Sequence, residues 1–296
     1  MLTTLDCAGH PRDMGLAQGA AARDALCAEA NRLGLPTRRS RMPSLRALAI
    51  GPVRGEGSGR EFFRHFAHLA ERMEGVAKAS DLPLDTIVDM HLRVRSGGAA
   101  AGALARRSTV SARTLEAGSA EKRWTLERSL PQPTEGECDW ILRASRPAVG
   151  FASVEIGLPW LVASVAGVNE AGLAVVGGPL LWGPAGRDGN PTSLLLVQEC
   201  LQRFRDLEGA LDRCGKRPVA GEQSLVLADD TGRLATVVVT GTERRIQYGE
   251  SELQLDAGER ESVDARPPGT VTLDPAERRL SFRRGETVLD VVASGG

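Results

Sequence analysis

Lysine is almost missing from this 296-residue chain: Lys78, Lys122 and Lys216 are the only three, and arginine carries nearly all the positive charge. That bias reflects genomic base composition and assigns no function. There is no excess of charge of either sign, with 37 basic against 38 acidic side chains, a net charge of -1 and a pI of about 6.5. No global basic field is present to recruit nucleic acid or anionic lipid, so neither is expected as a partner. Long apolar runs are missing too, and no stretch approaches the roughly 20 residues a membrane span needs. The opening MLTTLDCAGHPRDMG lacks the basic stretch followed by an apolar run that marks a secretory signal. Cysteine is scarce and odd in number (Cys7, Cys27, Cys138, Cys200, Cys214), with wide, irregular spacing. That excludes a disulfide framework and fits reduced thiols in a cytoplasm. Four histidines include one i, i+3 pair, His65 and His68, but no cysteine or carboxylate cluster accompanies it. No metal and no other cofactor is expected.

What is present is an ordinary globular composition, 42% hydrophobic and 25% charged, in a chain long enough to bury a large core. Residues 1–95 read as mostly helical. An alanine-rich stretch follows the Gly9-His10-Pro11 turn, and Phe62, Phe66, Leu69, Met73 and Val76 recur near a 3.6-residue period. LPLDTIVDMHLRV reads as a further helix with Pro83 near its start. Residues 37–60 are basic and Gly-rich and read as a loop, and SGGAAAGALAR (96–106) reads as a linker.

From Ser108 the texture changes to β. Strand candidates are STVSARTLE, KRWTLERSL, DWILRAS, VGFASVEIG and VASVAGVNEAGLAVV, the first two joined by an Ala117–Ala120 turn. Two helices are expected next, one beginning near Pro191 and one over DLEGALDRC. QSLVLADDTGRLATVVVTG reads as a hairpin turning at Asp229–Gly232, with short strands (TVTLDP, RRLSF) after it. Helices packed on an antiparallel sheet system make the expected class α+β. The organisation expected is a helical leader over 1–107 and a sheet domain over 108–296.

Three segments carry a resemblance. Gly9-His10-Pro11-Arg12-Asp13-Met14-Gly15-Leu16-Ala17-Gln18-Gly19 resembles the G-x-P-x-x-x-G-x-x-x-G leader of acyl-coenzyme A:6-aminopenicillanic acid acyltransferase-like proteins. ASVEIGLPWLVASVAGVNEAGLAV resembles that family's strand, apolar turn and G-x-N-E-x-G-L sequence. The helix over Gly189–Leu211, with LVLADDTGRLATVVV after it, resembles the family's helix and following hairpin. The resemblance implies a four-layer αββα N-terminal-nucleophile hydrolase fold. It also implies self-cleavage just before the nucleophile, and attack on amide or thioester carbonyls of a small-molecule acyl substrate. A hydroxyl or thiol is a weak nucleophile at neutral pH and needs a base within hydrogen-bond reach. A freed α-amine, with a pKa of about 7.7–8.0, can be that base.

Strand counting places the family's Gly-Cys-Thr register on Arg107-Ser108-Thr109, because a two-strand hairpin must precede DWILRAS. Ser108 is therefore the candidate nucleophile. Two alternatives are a vestigial strand residue at Ser108 and a nucleophile at Cys138, although a start at Cys138 would delete the hairpin. The family's return strand ends Arg-Asn-x-Asp; here it reads Arg128-Ser129-Leu130-Pro131, with the arginine and without the acid. Arg128 is expected either to steady the nucleophile's surroundings or a substrate carboxylate, or to be an exposed strand-end arginine. In the related pattern the asparagine, here Asn169, donates to the developing oxyanion, a contribution of about 3–4 kcal/mol. Asn-Glu-Ala-Gly is equally good β-turn chemistry. Asn190 and Trp160 are candidate substrate contacts; a helix-flanking residue and a core tryptophan are the plainer readings. At the level of function an amide C–N hydrolase or acyltransferase stands against a catalytically silent relative that binds without turnover. A third possibility is an interaction protein whose helical leader docks a partner.

Overall fold

A computed structural model describes residues 2–38, 64–96, 104, 108–114, 123–133, 136–181, 191–219, 222–240, 243–257 and 269–295. The expected loop over 37–60, the Ala117–Ala120 turn and all of the 96–106 linker but Ser96, which ends a helix, and Leu104 lie largely or wholly outside these residues.

The chain opens with β1 (Thr3–Gly9), α1 (Pro11–Ala21) and α2 (Arg23–Arg32), followed by α3 (Ala67–Ser80) and α4 (Leu84–Ser96). Strands β2 (Ser108–Thr114), β3 (Trp124–Leu130), β4 (Ile141–Pro147), β5 (Ser153–Gly157), β6 (Ala166–Asn169) and β7 (Ala174–Leu181) come next. Helices α5 (Leu194–Arg203) and α6 (Leu207–Lys216) precede β8 (Glu222–Ala228), β9 (Leu234–Thr240), β10 (Glu243–Gly249), β11 (Leu253–Ala257), β12 (Gly269–Asp274), β13 (Arg279–Arg284) and β14 (Thr287–Val292).

They form an eight-stranded sheet, β1-β4-β5-β6-β7-β8-β9-β10, and a six-stranded sheet, β11-β2-β3-β12-β13-β14. The sheets stack: β2, β3 and β11 lie against β7, while β12 and β13 lie against β6. On the opposite face of the larger sheet, α1 covers β1 and β4, and α5 and α6 cover β6, β7, β9 and β10. The α+β class and the stacked-sheet core expected from the sequence are both present. The hairpins β2–β3 and β8–β9 pair antiparallel as expected, and both helices after Pro191 form.

One element departs from the expected helical start. Thr3–Gly9 is a strand, with Leu5 and Cys7 facing inward, and it pairs parallel to β4 (Leu5 with Arg143, Cys7 with Ser145). A parallel partner reached across more than 130 residues leaves only a weak two-residue alternation in the local sequence.

The leader's paired glycines have a packing role. Helices α1 and α3 cross so closely that a Cβ on Gly15 would land on the Arg72 carbonyl, and one on Gly75 would land on the Arg12 carbonyl. Gly19 meets Val76 and Ala79 in the same way. Gly15, Gly19 and Gly75 are therefore the small residues that let two helix backbones touch.

Between helices and sheet runs the irregular segment Leu158–Val165, every residue of which is buried. Buried carbonyls with no ladder need donors from elsewhere. Gln18 of α1 supplies Pro159 and Leu161 (2.8 and 3.2 Å), and Arg143 of β4 supplies Leu161 and Ala163. His91 of α4 accepts the Val162 N–H on Nε2 at 3.1 Å, with Nδ1 2.7 Å from the Ile87 carbonyl.

Candidate active site

Ser108 is the first residue of β2. The register sets Val110 opposite Arg128, and Arg128 reaches across to β7, so both face the space between the sheets. Ser108, two residues before Val110, shares that face because strand side chains alternate. It is a diagonal neighbour of Arg128, at a separation a long side chain spans. Ser108 is buried, and its Oγ has no hydrogen-bond partner. The backbone beside it is pinned, with the Thr109 N–H donating to Ser129 Oγ at 2.6 Å.

Arg128 is also buried, which sets aside the reading as an exposed strand-end arginine. Its Nη1 donates to the Val165 carbonyl at 3.3 Å and to the Gly177 carbonyl, while Nε has no partner. No carboxylate among the described residues pairs with it. Burial alone, uncompensated by an acid, pulls its pKa down to about 10. The guanidinium is still charged at neutral pH, and it brings a net positive charge beside Ser108.

Asn169 lies elsewhere. Its Nδ2 donates to the carbonyls of Leu201 (2.9 Å) and Phe204 (2.7 Å), and its Oδ1 accepts from the N–H groups of Ala171 (3.1 Å) and Leu173 (2.9 Å). Every amide hydrogen expected to serve an oxyanion is already engaged. Gly172 closes the same turn at φ 86°, with Asp230 against its Cα. The turn at Asp229–Gly232 in turn receives the indole N–H of Trp124 on the Gly232 carbonyl. Trp124 begins β3, whereas Ser108 is level with its end, so Asn169 and Ser108 sit toward opposite ends of the stacked sheets. The structure does not bring them together. In this arrangement Asn169 has the β-turn role.

Trp160 belongs to the buried Leu158–Val165 segment and meets His91 edge-on at 5.5 Å, on the helix side of the larger sheet. It is buried there, and its indole N–H has no hydrogen-bond partner among the described residues. Asn190 lies outside the described residues, as does Arg107. Cys138 is part-buried, with Sγ against the Ala25 carbonyl at 3.3 Å. Burial first, and then the charge of Glu29, push its thiol up to about 12, which makes it a poor nucleophile. Asp229 is buried and structural: it accepts from Leu207, Thr231 and Arg233 and so locks the β8–β9 turn onto the start of α6. Among the described residues no cluster of His, Cys, Asp and Glu stands ready to hold a metal, and no helix is long and apolar enough to cross a membrane.

The features that sequence reasoning missed are two further buried arginines, Arg72 on α3 and Arg143 on β4. Arg143 on β4 touches Glu155, Gln18 and Gln198 and binds the same buried segment from the helix side. Its signal, a lone arginine inside the strand candidate DWILRAS, carries no local mark of burial.

No protein-family model matches the chain, and no curated protein sequence does. Solved structures resemble it at low identity. A penicillin V acylase from Agrobacterium tumefaciens shares 14% identity over 62% of this chain and 86% of its own, with a TM-score of 0.44. A conjugated bile acid hydrolase from Clostridium perfringens shares 10% over 62% and 92%, with a TM-score of 0.41. An N-acylethanolamine-hydrolyzing acid amidase ortholog from Caenorhabditis elegans shares 9% over 57% and 93%, with a TM-score of 0.43.

Proposed function

We propose that the chain is an amide C–N hydrolase or acyltransferase whose nucleophile, Ser108, is released by cleavage of the Arg107–Ser108 bond. The observation that supports it is the buried, unpartnered Oγ of Ser108 at the very start of β2, on one face with the buried cation of Arg128. In this reading the freed α-amine of Ser108 takes the Oγ proton as Oγ attacks the acyl carbonyl. The same proton passes to the leaving amine, or to the leaving thiol of a thioester. Water or a second amine then takes the acyl group from Oγ. Arg128 keeps the α-amine in its neutral, basic form, because a nearby cation disfavours a second positive charge. No cofactor enters the scheme, and the partner is a small acyl-amide or acyl-thioester.

A second reading, a fold that binds without turnover, is favoured by one specific feature: among the described residues Arg128 has no acid beside it, and Asn169 has no free donor. Intact mass separates the two. Processing yields fragments that begin at Met1 and at Ser108, and Ser108→Ala stays whole. A wild-type species that persists near 31.4 kDa after long incubation, with no hydrolysis of acyl-amide substrates, sinks the enzymatic reading.

A further inference from the structure

Two buried arginines from different sheets grip one short segment. From the helix side, Arg143 donates through Nη1 to the Leu161 carbonyl and through Nη2 to the Ala163 carbonyl at 2.6 Å. From the space between the sheets, Arg128 donates through Nη1 to the Val165 carbonyl, two residues further on. Val165 is fixed in turn by its own N–H on the Ile156 carbonyl (2.9 Å), and its carbonyl also accepts the Gly177 N–H (2.8 Å). Gly177 is the other residue whose carbonyl holds Arg128. The carbonyl pair that sets the place of Arg128 is thus continuous with the segment that Arg143 holds.

Arg143 is itself over-determined. Glu155, its directly paired neighbour on β5, lies 3.4 Å from Nε, and Gln18 and Gln198 accept from the two Nη groups at 3.3 and 3.2 Å. Gln18, on α1, also donates to Pro159 and Leu161. A planar fork that serves two carbonyls at once is something a lysine ammonium on a flexible stem does not reproduce.

We propose that Arg143 is a positioning residue for the Ser108–Arg128 pair, acting across the eight-stranded sheet through Leu161–Val165, with Gln18 holding the same segment from the leader. The inference rests on the proposed nucleophile. Loosening the segment lets Arg128 drift from Ser108. A small misplacement of a charged group beside the reacting atoms lowers kcat far more than it raises KM. It also weakens the field that keeps the Ser108 amine neutral, so the acidic limb of the pH–rate profile moves upward.

The test compares full-length wild type, Arg143→Lys, Arg128→Lys and the double variant. Expected are a tenfold or greater fall in kcat for Arg143→Lys with KM within about twofold, and an upward shift of the acidic limb. In the Arg128→Lys background the same change should lower kcat by less than about twofold. If Arg143→Lys lowers the melting temperature and leaves kcat and the pH profile unmoved, the positioning role is overturned. It is equally overturned if the effect persists undiminished in the Arg128→Lys background. If Arg143→Lys does not fold, Gln18→Met carries the same expectations. Urea unfolding of the four proteins provides a readout independent of turnover: the unfolding constants should be non-additive by more than about twofold, and additivity overturns the coupling. If the wild type neither cleaves nor turns over, the proposed function fails on its own test, and the unfolding cycle still judges the coupling.

Discussion

The side-chain amide of Asn169 donates to the carbonyl of Leu201 at 2.9 Å and to that of Phe204 at 2.7 Å. The turn between β6 and β7 is thereby bolted to the C-terminal end of α5. The last carbonyls of a helix have no partner within it, and here a single asparagine satisfies one of them, together with the first carbonyl beyond. The oxygen of the same side chain accepts the N–H groups of Ala171 and Leu173. One residue therefore closes a tight turn and caps a helix end, with all of its hydrogen-bonding groups used.

Asn169→Ala removes four hydrogen bonds, two buried and two part-buried, and strands their backbone partners. With each typical bond contributing about 1 kcal/mol net and each stranded group costing about 1–3 kcal/mol, a loss of roughly 3–5 kcal/mol is expected. Urea unfolding should show a markedly lower midpoint with an unchanged slope. A wild-type midpoint accompanied by a large fall in kcat would instead return Asn169 to the reaction.

Gly75→Ala asks whether the α1–α3 crossing needs its glycines. Inside an isolated helix this change gains about 1 kcal/mol from helix propensity. Here the new methyl would occupy the space of the Arg12 carbonyl oxygen. Backbone cannot yield as a flexible side chain does, so the overpacking cost of about 1–3 kcal/mol or more outweighs the gain. The expected result is a lower melting temperature, the opposite sign from an exposed helical glycine. Gly215, whose Cβ position meets nothing within 4 Å, provides the control, and Gly215→Ala should be neutral or stabilising.

Much of the fold was legible because its signals are local. The β2–β3 and β8–β9 hairpins alternate with a period of two, and Asp229–Gly232 is turn chemistry in four residues. What was not legible depends on partners far away in the chain. The motif around Asn169 satisfies both a turn and an oxyanion reading; the arrival of Leu201 and Phe204, more than 30 residues later, decides between them. VASV (162–165) opens the strand expected over VASVAGVNEAGLAVV, yet the strand begins only at Ala166. The segment Leu158–Val165 is irregular instead, because Gln18, His91 and Arg143, scattered over 125 residues, supply the donors and the acceptor that a sheet would otherwise provide. The β2–β3 hairpin that sets Ser108 and Arg128 on one face was legible from strand counting, and Arg143 behind it was not.

Thiol chemistry should be quiet in the folded protein. Cys7, Cys200 and Cys214 are buried, and Cys200, with its sulfur 3.7 Å from that of Cys214, has its pKa raised by that contact and by burial. Cys138 is held up at about 12, so its thiolate fraction at pH 8 is roughly one in ten thousand. A chromogenic disulfide reagent at pH 8 should titrate no more than Cys27 quickly in native protein, and all five cysteines in denaturant. Cys138→Ser should leave the fragment pattern in intact mass as it is in wild type. Rapid native labelling of Cys138 would reopen it as a nucleophile.

His91 gives the fold a defined sensitivity to acid. Burial lowers its pKa from 6.5 to about 4, against the smaller opposing influence of the Ile87 carbonyl. In the folded state the ring is neutral, with the proton on Nδ1 toward Ile87 so that Nε2 can accept from Val162. In the unfolded chain it titrates near its ordinary value. Between pH 6.5 and about 4 the unfolded state therefore holds one more proton on this group than the folded state does. Stability that is complete above pH 6.5 is lost as the pH falls through that window. The slope it contributes is about 1.4 kcal/mol per pH unit. His91→Gln, which can still accept from Val162, should be less stable at pH 7.5 yet lose stability less steeply on acidification, by about one proton. Urea unfolding across pH 4.5–7.5 on both proteins measures the difference, and parallel curves would mean that His91 titrates alike in both states.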